Sequence, residues 1–277
     1  MPPVTPLDKH QIQPAAHTRT THYTTTAPCS ALSVLYTEDG GAVDRYVFQK
    51  RHPVLVLVDT SAVARAPRHL LVGGLGDALA TYYEARTTYE SGEKGRTLCG
   101  ARPSMTALAM ARLCRDTLFE HAPAALASCD VGAVTPALER IVEANTLLSG
   151  LGFEGGGICV AHACHNGLTT CASCVRGHSH GERVAFGLHV QLALEGRTQE
   201  LEEVHAFCER VGLPLTLADV SVDAGDDDLI AQIAARTVAP GESAHNEPFA
   251  VDAAMVADAI RAADRMGTRF AERQLRA

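Results

Sequence analysis

Tryptophan is absent, and aromatic residues supply only 5% of the 277-residue chain. The sequence therefore offers no platform for stacking bases or sugars, and its core must be built from Leu, Val and Ala. Positive charge is also in short supply. With 24 Lys and Arg against 32 Asp and Glu, the formal charge is −8, which leaves no basic field for nucleic acid or an anionic membrane surface. No stretch approaches eighteen uninterrupted apolar residues, and the first thirty residues hold no apolar signal-like run. Neither secretion nor membrane spanning is expected, and a cytoplasmic chain is. The nine cysteines are odd in number and lack the setting of a small secreted framework, so they read as reduced thiols.

The composition is that of a soluble globular chain: 46% hydrophobic, 20% charged, 23 Gly and 13 Pro. From Leu32 the pattern is β. Leu32, Val34 and Tyr36 alternate with Ser33, Leu35 and Thr37, Glu38 to Gly41 supplies turn residues, and Arg45 to Phe48 follows, which predicts a hairpin. After Pro53 the short apolar run from Val54 to Val58 reads as a buried strand. Residues 1–26 carry too few apolar side chains for a core and are expected to form a tail, or a segment that orders only against something else.

Beyond Pro67 the period changes to 3.6. Thr135 is placed to cap a helix with Pro136 in its first turn, and Leu138, Ile141, Val142, Asn145 and Leu148 line one face until Gly150 and Gly152 stop it. Leu201, Val204, Phe207, Cys208 and Val211 form a second stripe ending at Gly212, and Asp226 to Asp228 open a third helix. Further helices are expected at Ser104 to Glu120, Gly157 to Thr170, Gly181 to Leu194 and between Asp252 and Phe270. The fold class is mainly α, a helical domain over 67–277 carrying a fragment of sheet within 1–66.

Candidate ligands concentrate in one place. Cys159, His162, Cys164 and His165 are followed by Cys171, Cys174, His178, His180 and Glu182. Catalytic zinc takes three protein ligands and keeps one position open, a demand that His162 on a helix, His180 at the mouth of the next helix and a carboxylate from elsewhere can meet across a short loop. A structural site from Cys171, Cys174 and two histidines competes, although no second tight pair stands at zinc-ribbon spacing. His165, three residues after His162, faces nearly the same side of a helix and belongs either to the surroundings of such a site or to the core. The cysteines read as buried small apolar side chains. Glu182 reads as a charge at a helix N-terminus.

A glycine-rich stretch, Leu71 to Arg86, resembles a phosphate-binding turn, but Leu79 stands where a third glycine is needed and Asp77 would repel phosphate. Asp77 suits a helix cap or a metal ligand instead.

Taken together, five segments resemble the glycerol dehydrogenase family of metal-dependent alcohol dehydrogenases, whose architecture is shared with dehydroquinate synthase. They are Ala27 to Thr37, Gly76 to Thr81, Leu138 to Thr146, Ala161 to Gly167 and His180 to Gly187. The resemblance implies the C-terminal helical domain of the dehydroquinate synthase-like fold, with a remnant of an N-terminal α/β nucleotide-binding sheet. It implies zinc held by Asp77 of Gly-Asp-Ala, His162 of His-Ala-x-His-Asn-Gly and His180 of His-Gly-Glu, with no catalytic residue beyond these ligands. It places NAD contacts on Ser30, Leu32 and Tyr36, preceded by Thr21 and Thr24. The implied partners are a small polyol and further copies of the chain, and the implied reaction oxidises glycerol to dihydroxyacetone with hydride transfer to NAD. Two departures bear on it. No Gly-Gly-Gly-Lys turn precedes Thr21, and Thr26 stands where the family has the Asp that binds the polyol. The alternative expectation is an inactive, metal-binding helical remnant; a zinc hydrolase using the same three ligands lacks a clear general base.

Overall fold

A computed structural model describes residues 27–36 and 43–276. Two strands, β1 (Leu32–Tyr36) and β2 (Val43–Phe48), pair antiparallel with Leu32 opposite Phe48 and Ser33 opposite Val47, so the expected hairpin is present. The expected buried strand at Val54 to Val58 is not. That segment has no regular structure, and Val54, Leu55 and Leu57 are exposed. A strand of this composition is buried only between sheet neighbours and covering helices, and the sheet among the described residues has two strands, neither of them this one.

Helices make the rest. α1 (Thr60–Ala64) starts on an Asp59 cap and leads into α2 (Arg68–Glu90), which is buried along most of its length. α3 (Met105–Asp130) starts on the Ser104 cap but runs past the expected end, carrying Pro123 within it. Thr135 caps α4 (Pro136–Glu143) as expected, with its hydroxyl oxygen accepting from the Leu138 N–H. Gly150 and Gly152 do not stop this helix. The chain passes through a π-helical turn at Ala144–Leu148 into α5 (Ser149–Gly156) and ends at Gly157, whose φ of 90° leaves the helical region. Gly152 serves packing instead: a Cβ there would lie 2.9 Å from the Thr81 methyl.

Then come α6 (Val160–Leu168), α7 (Ala172–Gly177), α8 (His180–Leu194), α9 (Thr198–Val211), α10 (Asp227–Thr237) and α11 (Ala253–Gln274). Gly212 in the left-handed region closes α9, and Asp226 and Asp252 cap α10 and α11. Two hydrophobic clusters result. One gathers side chains of α2, α3, α4 and α9; the other gathers α10, most of α11 and the Cys159, Cys164, Cys171 and Cys174 thiols. α6 and α8 present one face to each cluster. Among the described residues no single helix is long and apolar enough to cross a membrane.

Candidate metal centre

The glycine-rich stretch lies inside α2, so Asp77 is neither at a turn nor at a cap. The glycines let α2 and α8 cross backbone to backbone. A Cβ at Gly76 would lie 2.4 Å from the Gly181 carbonyl oxygen, and one at Gly181 would lie 1.7 Å from the Gly73 carbonyl oxygen; no side chain fits at either distance. This crossing brings Asp77, in the middle of α2, to His180, the first residue of α8. Ser179 and Glu182 form a reciprocal capping box there, which fixes the direction in which α8 begins. Glu182 is thus the N-terminal charge that the sequence suggests.

His162 arrives on the first turn of α6. Its approach depends on a residue that the sequence reading passed over, Glu84, fully buried on α2. Glu84 Oε1 accepts from the backbone N–H groups of Cys159 (2.8 Å) and His162 (2.9 Å), and its Oε2 faces His162 Nδ1 at 2.6 Å. The Gln191 side-chain oxygen, from α8, accepts the Ala161 N–H at 3.0 Å. The start of α6, which has no cap of its own, is therefore capped by two other helices. The only trace of Glu84 in the sequence is its spacing: seven residues after Asp77, it falls on the same face of one helix.

Asp77, His162 and His180 present one oxygen and two ring nitrogens that all lie within 4.8 Å of one another. His162 Nε2 is 3.4 Å from Asp77 Oδ1, and His180 Nε2 is 3.5 Å from the same oxygen. A charge-assisted hydrogen bond would be shorter, near 2.8 Å. Tetrahedral zinc with bonds of about 2.0–2.1 Å sets its ligands about 3.3 Å apart, so these two separations fit the edges of a coordination tetrahedron. The donor set of one carboxylate and two imidazoles suits zinc equally well. The four-ligand site drawn from Cys171 and Cys174 finds no such grouping among the described residues, and both thiols sit in the second hydrophobic cluster.

The charges are mutually dependent. Burial alone would raise the Asp77 carboxyl pKa, but the facing His180 and His162 rings outweigh it and hold the group well below the ordinary carboxylate range. For His162, burial disfavours the cation, and Glu84 together with Asp77 reverses that and raises its pKa. His165 is buried, and its desolvation keeps the ring neutral. It touches the site through His180, with His165 Nε2 at 3.0 Å from His180 Nδ1.

Of the residues expected to contact NAD, Ser30 and Leu32 are buried at the start of the hairpin, where the Ser30 hydroxyl oxygen accepts from the Leu32 N–H at 2.9 Å. Tyr36 ends β1. Thr21, Thr24 and Thr26 lie outside the described residues. Beside the hairpin, Ala31, Phe48, His52, Cys99 and Glu154 help to line a cleft of about 420 Å3, to which none of the three clustered donors contributes.

No protein-family model matches the chain. Curated relatives do. Glycerol dehydrogenase of Pseudomonas putida is 49% identical over 249 residues, covering 90% of this chain and 67% of the relative. The Thermotoga maritima glycerol dehydrogenase is also 49% identical, over 88% of this chain and 66% of its own length. The chain therefore spans about two thirds of the length of these relatives. Among solved structures, glycerol dehydrogenase from Schizosaccharomyces pombe superposes with a TM-score of 0.86 at 37% identity, over 92% of this chain and 64% of that one. The helical architecture is accordingly that of the dehydroquinate synthase-like C-terminal domain, and the chain belongs to the glycerol dehydrogenase family of oxidoreductases.

Proposed function

We propose that the chain takes part in the NAD-dependent oxidation of glycerol or a related small polyol, and that Asp77, His162 and His180 hold the zinc ion this requires. The observation that carries the reading is the pair of ligand-to-ligand separations, 3.4 and 3.5 Å, meeting on one carboxylate oxygen. Family membership supplies the reaction class. Residues 67–277 would be the metal-binding portion, and Ser30, Leu32 and Tyr36, with Thr21 and Thr24 before them, would face the dinucleotide.

When bound, zinc supplies Lewis acidity toward a polyol hydroxyl, and NAD takes the hydride. The rest falls to the protein. Asp77 contributes one negative charge and the imidazoles none, so a divalent ion would keep net positive charge toward its open side. Glu84 holds the His162 ring from behind and leaves Nε2 directed at Asp77. His180 is the most exposed of the three, with 37% of its side chain accessible, so it marks the side from which a substrate can approach.

The test is elemental analysis of purified protein. Zinc close to one ion per chain is expected, with loss in both Asp77→Ala and His180→Ala; stoichiometric zinc in both variants overturns the ligand assignment. Glycerol-dependent NADH formation, followed by absorbance, tests the reaction separately, and its absence from zinc-loaded protein overturns the proposed activity of this chain.

A further inference from the structure

A line of polar side chains runs from the candidate metal centre to the protein surface. His180 Nδ1 meets His165 Nε2 at 3.0 Å, and His165 Nδ1 meets Asn166 Oδ1 at 3.1 Å. The Asn166 side-chain N–H donates to Glu242 Oε2 at 2.9 Å, and the other Glu242 oxygen pairs with Arg236 Nη1. His165 and Asn166 are buried, and Glu242 nearly so, which leaves little water to substitute for any member.

Each group in this line limits the next. A carboxylate only accepts, so Glu242 requires the NH2 side of the Asn166 amide and turns its oxygen toward His165. An amide oxygen only accepts, so the His165 proton sits on Nδ1. His165 Nε2 is then a lone pair, and the one arrangement that makes the 3.0 Å contact a hydrogen bond puts a proton on His180 Nδ1. The lone pair of His180 is left on Nε2, the nitrogen that faces Asp77.

We infer that Glu242, Asn166 and His165 are positioning residues that fix His180 in the Nδ1–H tautomer, and so decide that its Nε2 can act as a metal ligand. The inference rests on the proposed zinc site. His162 receives the same instruction directly from Glu84; His180 receives it through two intermediates from a residue on a different part of the chain.

The polarity of the line is set at its far end, which makes it testable by an isosteric change. In Glu242→Gln the amide oxygen stays with Arg236, which can only donate, and the NH2 group now faces Asn166. Either the amide and both imidazoles reverse, moving the His180 proton to Nε2, or one hydrogen bond is lost. Both weaken zinc binding, by about 10- to 100-fold on the scale of lost support behind a metal ligand. Arg236→Met removes the ion pair but leaves Glu242 an acceptor, so tautomer and affinity should stay at the parental values.

The experiment is chelator-competition titration of zinc on the full-length chain and both variants, joined with side-chain 15N spectra of histidine-labelled, zinc-depleted protein in alkaline buffer. Expected is a His180 protonated at Nδ1 in the parent and in Arg236→Met, and in Glu242→Gln weaker zinc binding together with either a proton moved to Nε2 or a changed histidine 15N signal where one hydrogen bond of the line is lost. A parent His180 protonated at Nε2, an unchanged Glu242→Gln, or an equal loss in Arg236→Met overturns the inference. Expected spectra in a parent that binds no zinc would instead overturn the proposed metal site while leaving the relay standing.

Discussion

At the scale of single residues, Glu84 bears more than its position suggests. One buried carboxylate accepts two backbone N–H groups and faces the Nδ1 of a candidate ligand. Glu84→Gln keeps the shape and removes one acceptor, so its new N–H groups must face either the start of α6 or His162 Nδ1. Leaving a buried donor unmatched costs about 1–3 kcal/mol. Zinc affinity should fall by about 10- to 100-fold, and the melting temperature with it; competition titration and calorimetry check both. Glu247 makes a second residue-scale case. Burial raises its pKa to about 8, Glu195 and Glu84 add to the rise, and the Cys159 thiol, which donates to Glu247 Oε1 at 3.3 Å, and Arg197 oppose it. An acid with a raised folded-state pKa binds more protons folded than unfolded, so its contribution to stability falls as pH rises from its ordinary value toward about 8. Glu247→Gln lacks that slope. Relative to the parent it should gain on the order of a few kcal/mol between about pH 5 and about pH 9, visible as a melting-temperature difference that grows with pH.

At the scale of elements, the α2–α8 crossing decides the geometry of the site. Gly76 and Gly181 precede and follow the two candidate ligands that the crossing brings together, and neither tolerates a Cβ. Gly181→Ala must push the helices apart, because the blocking atom is the Gly73 backbone carbonyl, which cannot swing aside as a side chain could. Overpacking of this kind costs about 1–3 kcal/mol or more. Both thermal stability and zinc content should drop, and a variant that melts as the parent does and retains its zinc would show that the crossing yields. The same element explains what the sequence did and did not disclose. The Thr135 cap is legible in the sequence, as are the helix starts at Asp226 and Asp252 and the stripe of α9 ending at Gly212, because each signal lies beside the helix it marks. The glycines of α2 and α5 read in sequence as turns and stops, because a glycine chosen for close helix contact has the same letter as one chosen for its backbone freedom. Glu84 and Gln191 were invisible for a related reason: each caps a helix far from it in the chain. Spacing pairs His162 with His180 and leaves Asp77 open between cap and ligand; only the resemblance joins the three, since spacing cannot tell which distant carboxylate meets a pair of histidines.

At the scale of the whole molecule, the three donors link parts with separate hydrophobic interiors. Asp77 belongs to α2, which contributes to the first cluster only, whereas α6 and α8, carrying His162 and His180, divide their faces between both. Other ties hold the assembly elsewhere: Arg86 on α2 pairs with Glu200 on α9 and with Glu195 just beyond α8. An ion at the site would add a tie that unfolded chain cannot reproduce with the same affinity. Binding to the folded state alone stabilises by RT ln(1 + [L]/Kd), about 4 kcal/mol when free zinc exceeds Kd a thousandfold. For a chain of this size each kcal/mol moves the melting temperature by about 2–4 °C, so zinc should raise it by roughly 8–16 °C and a strong chelator should take that gain away. Because α2 and α10 lie in different clusters, the gain should appear in both regions: hydrogen exchange should slow at Asp77 and also at Ile233, whose backbone packs against Gly167 of α6. Slowing confined to the three ligands, with no shift in melting temperature, would show that the ion decorates an already rigid fold rather than joining its halves.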